Sequence, residues 1–93
     1  MKSYEAMFIL KPDLSSEDLG KTVSQIQEIV SKNKCSVDDM KDLGKQRLAY
    51  LVKKQKEGFY YLMNFHGDTS AIAKIKRSFS LNDSILRVLI IAL

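Results

Sequence analysis

The cations Lys45, Arg47, Lys53 and Lys54 stand among Tyr50, Phe59, Tyr60 and Tyr61 in a single stretch running from Gly44 to Tyr61. Cations on extended backbone meet phosphate oxygens, and neighbouring aromatic rings offer flat faces to bases or sugars, a combination that suits RNA better than a small metabolite. The same residues also have a plainer use, because lysines around a hairpin guard an edge against strand pairing and strand tyrosines commonly just pack. Catalytic chemistry finds no foothold. His66 is the single histidine and closes a strand beside Gly67, while Cys35, the single cysteine, has no CxxC partner for metal or redox work. No glycine falls between Leu10 and Leu14, so no phosphate-cradling loop follows the first apolar run. The expectation is a protein that is not an enzyme and uses neither metal nor cofactor.

The elements that must carry these residues follow in chain order. Tyr4 to Leu10 is a short apolar run closed by Lys11-Pro12-Asp13, and proline disfavours helical geometry at Lys11, so this is a first strand. Ser15 is placed as an N-cap with Asp18 three residues on, and Leu14 and Leu19 sit as a hydrophobic staple. Leu19, Val23, Ile26, Ile29 and Val30 recur at helical spacing, and Lys32-Asn33-Lys34 suit the carbonyl end of that helix. Cys35 to Val52 reads as a long strand with an irregularity, most naturally at Gly44. Lys53 to Gly58 reads as a polar loop, Phe59 to Phe65 as the returning strand, and Asp68 or Thr69 as the cap of a second helix through Ile72, Ile75 and Phe79. Leu81-Asn82-Asp83 is turn chemistry, and Ile85 to Leu93 is a last strand interrupted in its apolar run only by Arg87.

Ninety-three residues with 45% hydrophobic content make one domain with one core, residues 1–93. The longest apolar run, Val88 to Leu93, is too short to cross a bilayer, and the start shows no secretion signal. A reducing cytoplasm, with no membrane partner, is the expectation. The net charge of +4 is unevenly spread: residues 1–42 hold six lysines against eight acidic groups, and residues 43–93 hold nine cations against three. An anionic partner for the second half fits this asymmetry.

The order βαββαβ, with right-handed crossovers and helices that must cover apolar sheet, leads to an α+β ferredoxin-like domain. Its four-stranded antiparallel sheet has the order 4-1-3-2, with both helices on one face. Alternation then puts Ala6, Phe8 and Leu10 under the helices with Tyr61, Met63, Phe65, Val88 and Ile90. It leaves Met7, Ile9, Tyr60, Leu62, Leu89 and Ile91 on the open face with Glu5, Asn64 and Arg87. So much exposed apolar surface calls for a protein neighbour.

Two binding modules share this topology. The RNA-recognition motif is matched at Gly58-Phe59-Tyr60-Tyr61-Leu62, but Glu57 stands where its basic residue belongs and Asn64 where its last aromatic belongs. A small-ligand sensor of amino acids is the alternative, although no residues pick out a pocket for a small-molecule substrate.

Five blocks carry a more specific likeness: Lys2-Ser3-Tyr4-Glu5, Ile9 to Asp13, Leu43 to Tyr50, Gly58-Phe59-Tyr60 and Leu81 to Arg87. With them the chain resembles the family of the sixth protein of the bacterial small ribosomal subunit, and the Gly-x-x-Arg-Leu-Ala-Tyr block from Gly44 to Tyr50 is the most specific of them. The resemblance implies a structural constituent of the small subunit that binds the central domain of small-subunit ribosomal RNA jointly with the eighteenth small-subunit protein. It implies RNA contacts at Lys2, Tyr4, Arg47 and Arg87, with further contacts at Lys45, Tyr50, Lys53 and Lys54, and it gives the open sheet face to the protein partner. The chain departs from the family pattern at Leu51, where proline is usual, and at Gln46, where a basic residue is common.

Overall fold

The computed structural model describes residues Lys2–Leu93. Its elements run β1 (Lys2–Leu10), α1 (Ser16–Lys32), β2 (Ser36–Val52), β3 (Gln55–Gly67), a short 3-10 turn (Thr69–Ala71), α2 (Ile72–Ser80) and β4 (Ile85–Ala92). The strands form one sheet of order β2-β3-β1-β4, every neighbouring pair antiparallel, which is the expected 4-1-3-2 order read from the other edge.

Local chemistry explains the helix limits. The backbone amide of Asp18 donates to Ser15 Oγ at 3.1 Å, so one orphan donor of α1 is satisfied where the capping residues predicted it. At the other end Lys34 adopts the left-handed conformation (φ 61°), its amide donating to the Ser31 carbonyl and that of Cys35 to the Val30 carbonyl. This is the Schellman closure, formed here on a lysine in place of the usual glycine. Asp68 caps the 3-10 turn that leads into α2, its carboxylate accepting from the Ser70 amide at 3.2 Å.

Both helices lie on the same sheet face, as the burial pattern shows. Ile26 and Val30 of α1 and Ile75 and Phe79 of α2 join Ala6, Phe8, Leu10, Tyr61, Met63 and Phe65 in one cluster, all on strand positions of one parity. Phe8 and Phe79 meet edge-to-face at 5.0 Å between centroids, a pair that adds about 0.5–1.5 kcal/mol beyond its area burial.

The β2–β3 hairpin departs from a simple ladder. Its register shifts three times, between Val37 and Asp39, between Asp42 and Gly44, and between Arg47 and Val52. Gly44 is one of these points, with φ at +80° and its amide bonded to Asp42 Oδ1 at 2.8 Å. The largest shift sets the four residues Leu48 to Leu51 against Lys56 alone. The expected polar loop from Lys53 to Gly58 is corrected: Val52 pairs with Gln55 across a two-residue turn, Lys53-Lys54, both with positive φ (49° and 67°). That is a type I′ geometry, whose twist matches the strands it joins. The asparagine-glycine signature of such turns is absent here, so the turn was not legible.

Candidate nucleic-acid and partner interface

The hairpin outreaches the rest of the sheet. Pairing with β1 ends at Phe59, opposite Leu10, and beyond it Lys45 to Gly58 continue as an arm of two strands. This arm holds five cations, Lys45, Arg47, Lys53, Lys54 and Lys56, against the single carboxylate of Glu57. All five are exposed. Lys45 Nζ lies 3.9 Å from Glu57 and 5.5 Å above the Phe59 ring, while the other four have no carboxylate within 4.0 Å among the described residues. Four unneutralised cations on one projecting element make a local positive potential that surface ion pairs elsewhere, such as Lys21–Glu17 and Lys32–Glu28, do not make.

The arm also bends over the open face of the sheet. Leu48, Ala49, Tyr50 and Val52 wall one side of an apolar groove of about 250 Å³ whose floor and far side are Met7, Ile9, Tyr60, Leu89 and Arg87. The guanidinium of Arg87, on β4, donates to the hydroxyl oxygen of Tyr50, on β2, although β3 and β1 separate those strands in the sheet. The bulge at Leu48–Leu51 makes the bend: four residues opposed to one force the longer strand to curl. Gly58 permits the approach, since a Cβ there would stand 2.5 Å from Ile9 Cγ2 and 3.0 Å from the Leu10 carbonyl oxygen.

The structure separates the RNA residues named from sequence into three groups. Lys45, Arg47, Tyr50, Lys53, Lys54 and Arg87 gather on the arm or at its contact with β4. Lys2 is exposed but pairs with Gly67 at the opposite end of β1, beside Asp68 and Thr69, some eight residues or roughly 26 Å along the strand from Leu10. Tyr4 is a correction: it is 4% exposed and stacks on Phe65 at 5.4 Å, because its position has the parity of Ala6 and Phe8 and faces the helices. Sequence reading missed Lys56, which it placed in a loop, and the lining formed by Leu48, Ala49 and Val52.

The six residues assigned to the open face also divide. Leu89 and Ile91 are 50% and 49% exposed, and Leu62 is half-buried. Met7 and Tyr60 are half-buried in the groove, and Ile9 is only 9% exposed. Ile9 lies on the open face as its parity requires, in the groove lining, and the close pass of Gly58 leaves little of it exposed. The patch open to a partner is shifted towards Leu62, Leu89 and Ile91, and on the arm Leu51 is exposed outside the groove lining.

Elsewhere the reactive side chains are engaged structurally. His66 Nδ1 lies 2.8 Å from Asp38 Oδ1 on the adjoining strand. Cys35 is buried against Gly67, and burial raises its thiol pKa, which suppresses the nucleophilic thiolate. Among the described residues no group of three or more His, Cys, Asp or Glu side chains is placed to hold a metal, and no helix is long and apolar enough to cross a membrane.

Fold and surface together define a class: a ferredoxin-like domain that presents a cationic hairpin arm and an apolar sheet face. The family profile described as ribosomal protein S6 matches residues 3–92. A small ribosomal subunit protein bS6 from Thermoanaerobacter pseudethanolicus is 38% identical over 91 residues, covering 98% of this chain and 96% of that protein. One from Synechocystis is 41% identical, covering 100% and 82%, and one from Gloeothece citriformis is 39% identical, covering 99% of this chain but 52% of its own length. The crystal structure of 30S ribosomal protein S6 from Thermotoga maritima superposes with a TM-score of 0.94 at 25% identity, over 99% of this chain and 87% of that one. The chain belongs to the ribosomal protein S6 family, a family of small-subunit constituents and not of enzymes. That assignment displaces the amino-acid-sensing alternative.

Proposed function

We propose that this protein binds small-subunit ribosomal RNA with the cationic side of its arm and holds a protein neighbour, the eighteenth small-subunit protein, on its open sheet face. It works without catalysis, within the cytoplasmic ribosome. The observation that carries this reading is the two-sided arm. Its cations Lys45, Arg47, Lys53 and Lys54 point charge outward, and Leu48 and Val52 turn to the groove. A side chain that neutralises a phosphate releases counterions, so each such contact contributes to affinity and to its salt dependence. Lys2, at the far end of β1, provides a separate contact, and the RNA then spans both ends of the sheet. The partner lies on Leu62, Leu89 and Ile91, with Met7, Tyr60 and the covered Ile9 beneath its edge.

The test is a salt titration of binding to a central-domain RNA fragment, in the presence of the partner protein. Arg47→Ala and Lys53→Ala should each weaken binding and lower the slope of log affinity against log salt by about 0.7–0.9. Unchanged affinity and slope in both variants would remove the arm from the RNA site. Recovery of the protein in isolated small subunits checks the assembly context independently.

A further inference from the structure

We infer that Tyr50 and Arg87 act as a latch that positions the cationic arm, so that they serve RNA binding through the arm's geometry and not as contacts to RNA. This rests on the reading of the arm as the RNA-binding element. Arg87 stands apart from the arm's cations in three respects. It lies on β4, its guanidinium is already donating to the Tyr50 hydroxyl, and it borders an apolar groove in place of the outward cationic side. Tyr50 is the matching half, because its ring lines the groove while its hydroxyl reaches Arg87.

The arm needs such a restraint. Between Arg47 and Val52 the cross-strand ladder is broken, with four residues facing one, so the backbone hydrogen bonds that stiffen the rest of the hairpin do not hold its tip to the sheet. Leu48, Tyr50 and Val52 face Met7 and Ile9 across a groove of about 250 Å³, and the hydrogen bond from Arg87 to Tyr50 ties the arm to β4 on its far side. Apolar attraction is non-directional and lets the arm slide; a guanidinium–phenol bond fixes one register of the bend. An arm fixed before binding loses less conformational freedom when RNA arrives.

Two variants separate positioning from contact. Tyr50→Phe keeps the ring and every charge and removes only the acceptor; Arg87→Gln removes the charge. In the free protein, NMR order parameters of the amides of residues 48–56 should fall in both. Affinity for the RNA fragment should drop on the order of two- to tenfold, the span expected for one lost hydrogen bond, with the salt slope unchanged in both variants. A slope lowered in Arg87→Gln, with arm order unaltered, would make Arg87 a phosphate contact and overturn the latch. Loosened arms with undiminished affinity, while Arg47→Ala still weakens binding, would overturn the positioning role. If the arms loosen and Arg47→Ala, Lys53→Ala and both latch variants all bind RNA like the parent, the latch stands and the RNA reading of the arm fails.

Discussion

One substitution made at two glycines should change stability in opposite directions. Gly20 lies exposed in α1, and a Cβ built there meets nothing within 4 Å, so Gly20→Ala adds helix propensity without a clash. Its expected gain is about 0.5–1 kcal/mol. Gly58 is buried where the arm leaves the sheet, and its new Cβ would stand 2.5 Å from Ile9 Cγ2 and 3.0 Å from the Leu10 carbonyl oxygen. Ile9 is β-branched and stiff, and the carbonyl is backbone in a paired strand, so neither neighbour yields without moving β1 or β3. Overpacking of this kind costs about 1–3 kcal/mol, which exceeds the few tenths gained by restricting the unfolded chain. Urea unfolding reads both: at a slope of about 1–2 kcal/mol per molar, the midpoints should move apart by roughly 1 M or more, with the slope unchanged. A Gly58→Ala protein as stable as the parent would refute the close pass beneath the arm. Covering of Ile9 by that pass would then have no basis.

Other outcomes follow from the same geometry. Leu89→Lys, at a half-exposed centre of the partner patch, should cost binding of the eighteenth small-subunit protein far more than Gln55→Glu at the arm's tip, both proteins keeping their circular dichroism; equal affinities would place the partner elsewhere. Burial, then the charge of Asp42, raises the Tyr61 phenol above its ordinary pKa. The folded state therefore holds this proton more tightly than the unfolded chain, and the stability so contributed is complete below about pH 10 and is lost as pH rises through the raised folded value. Tyr61→Phe should flatten that alkaline loss in pH-dependent urea unfolding, and an unchanged alkaline limb would assign it to other groups. Cys35→Ala and His66→Gln should assemble with RNA and partner as the parent does, any loss appearing in urea midpoints alone; a folded His66→Gln protein that fails to assemble would expose a site at the His66–Asp38 pair.

Much of the architecture was legible in the chain because each element carried its own local chemistry. Ser15 and Asp18 marked the start of α1, Pro12 the end of β1, and Gly44 an irregular strand, and each reads through interactions spanning only a few residues. Sheet parity was legible too, since a period of two needs only one face to be apolar. The arm was not. Its turn is built from Lys53 and Lys54 in a conformation those side chains do not advertise, and its bend comes from a mismatch in pairing length between two strands, a property of their register and of neither sequence alone. Tyr4 followed from parity, since it shares the face of Ala6 and Phe8 and stacks on its partner Phe65. One consequence of the arm was decided only in three dimensions: Arg87, a cation in an apolar strand, met Tyr50 because a bulged hairpin crossed two strands to reach it. Periodicity determines which side of a strand a residue faces, but what lies over that side depends on long-range contacts that no window of sequence contains.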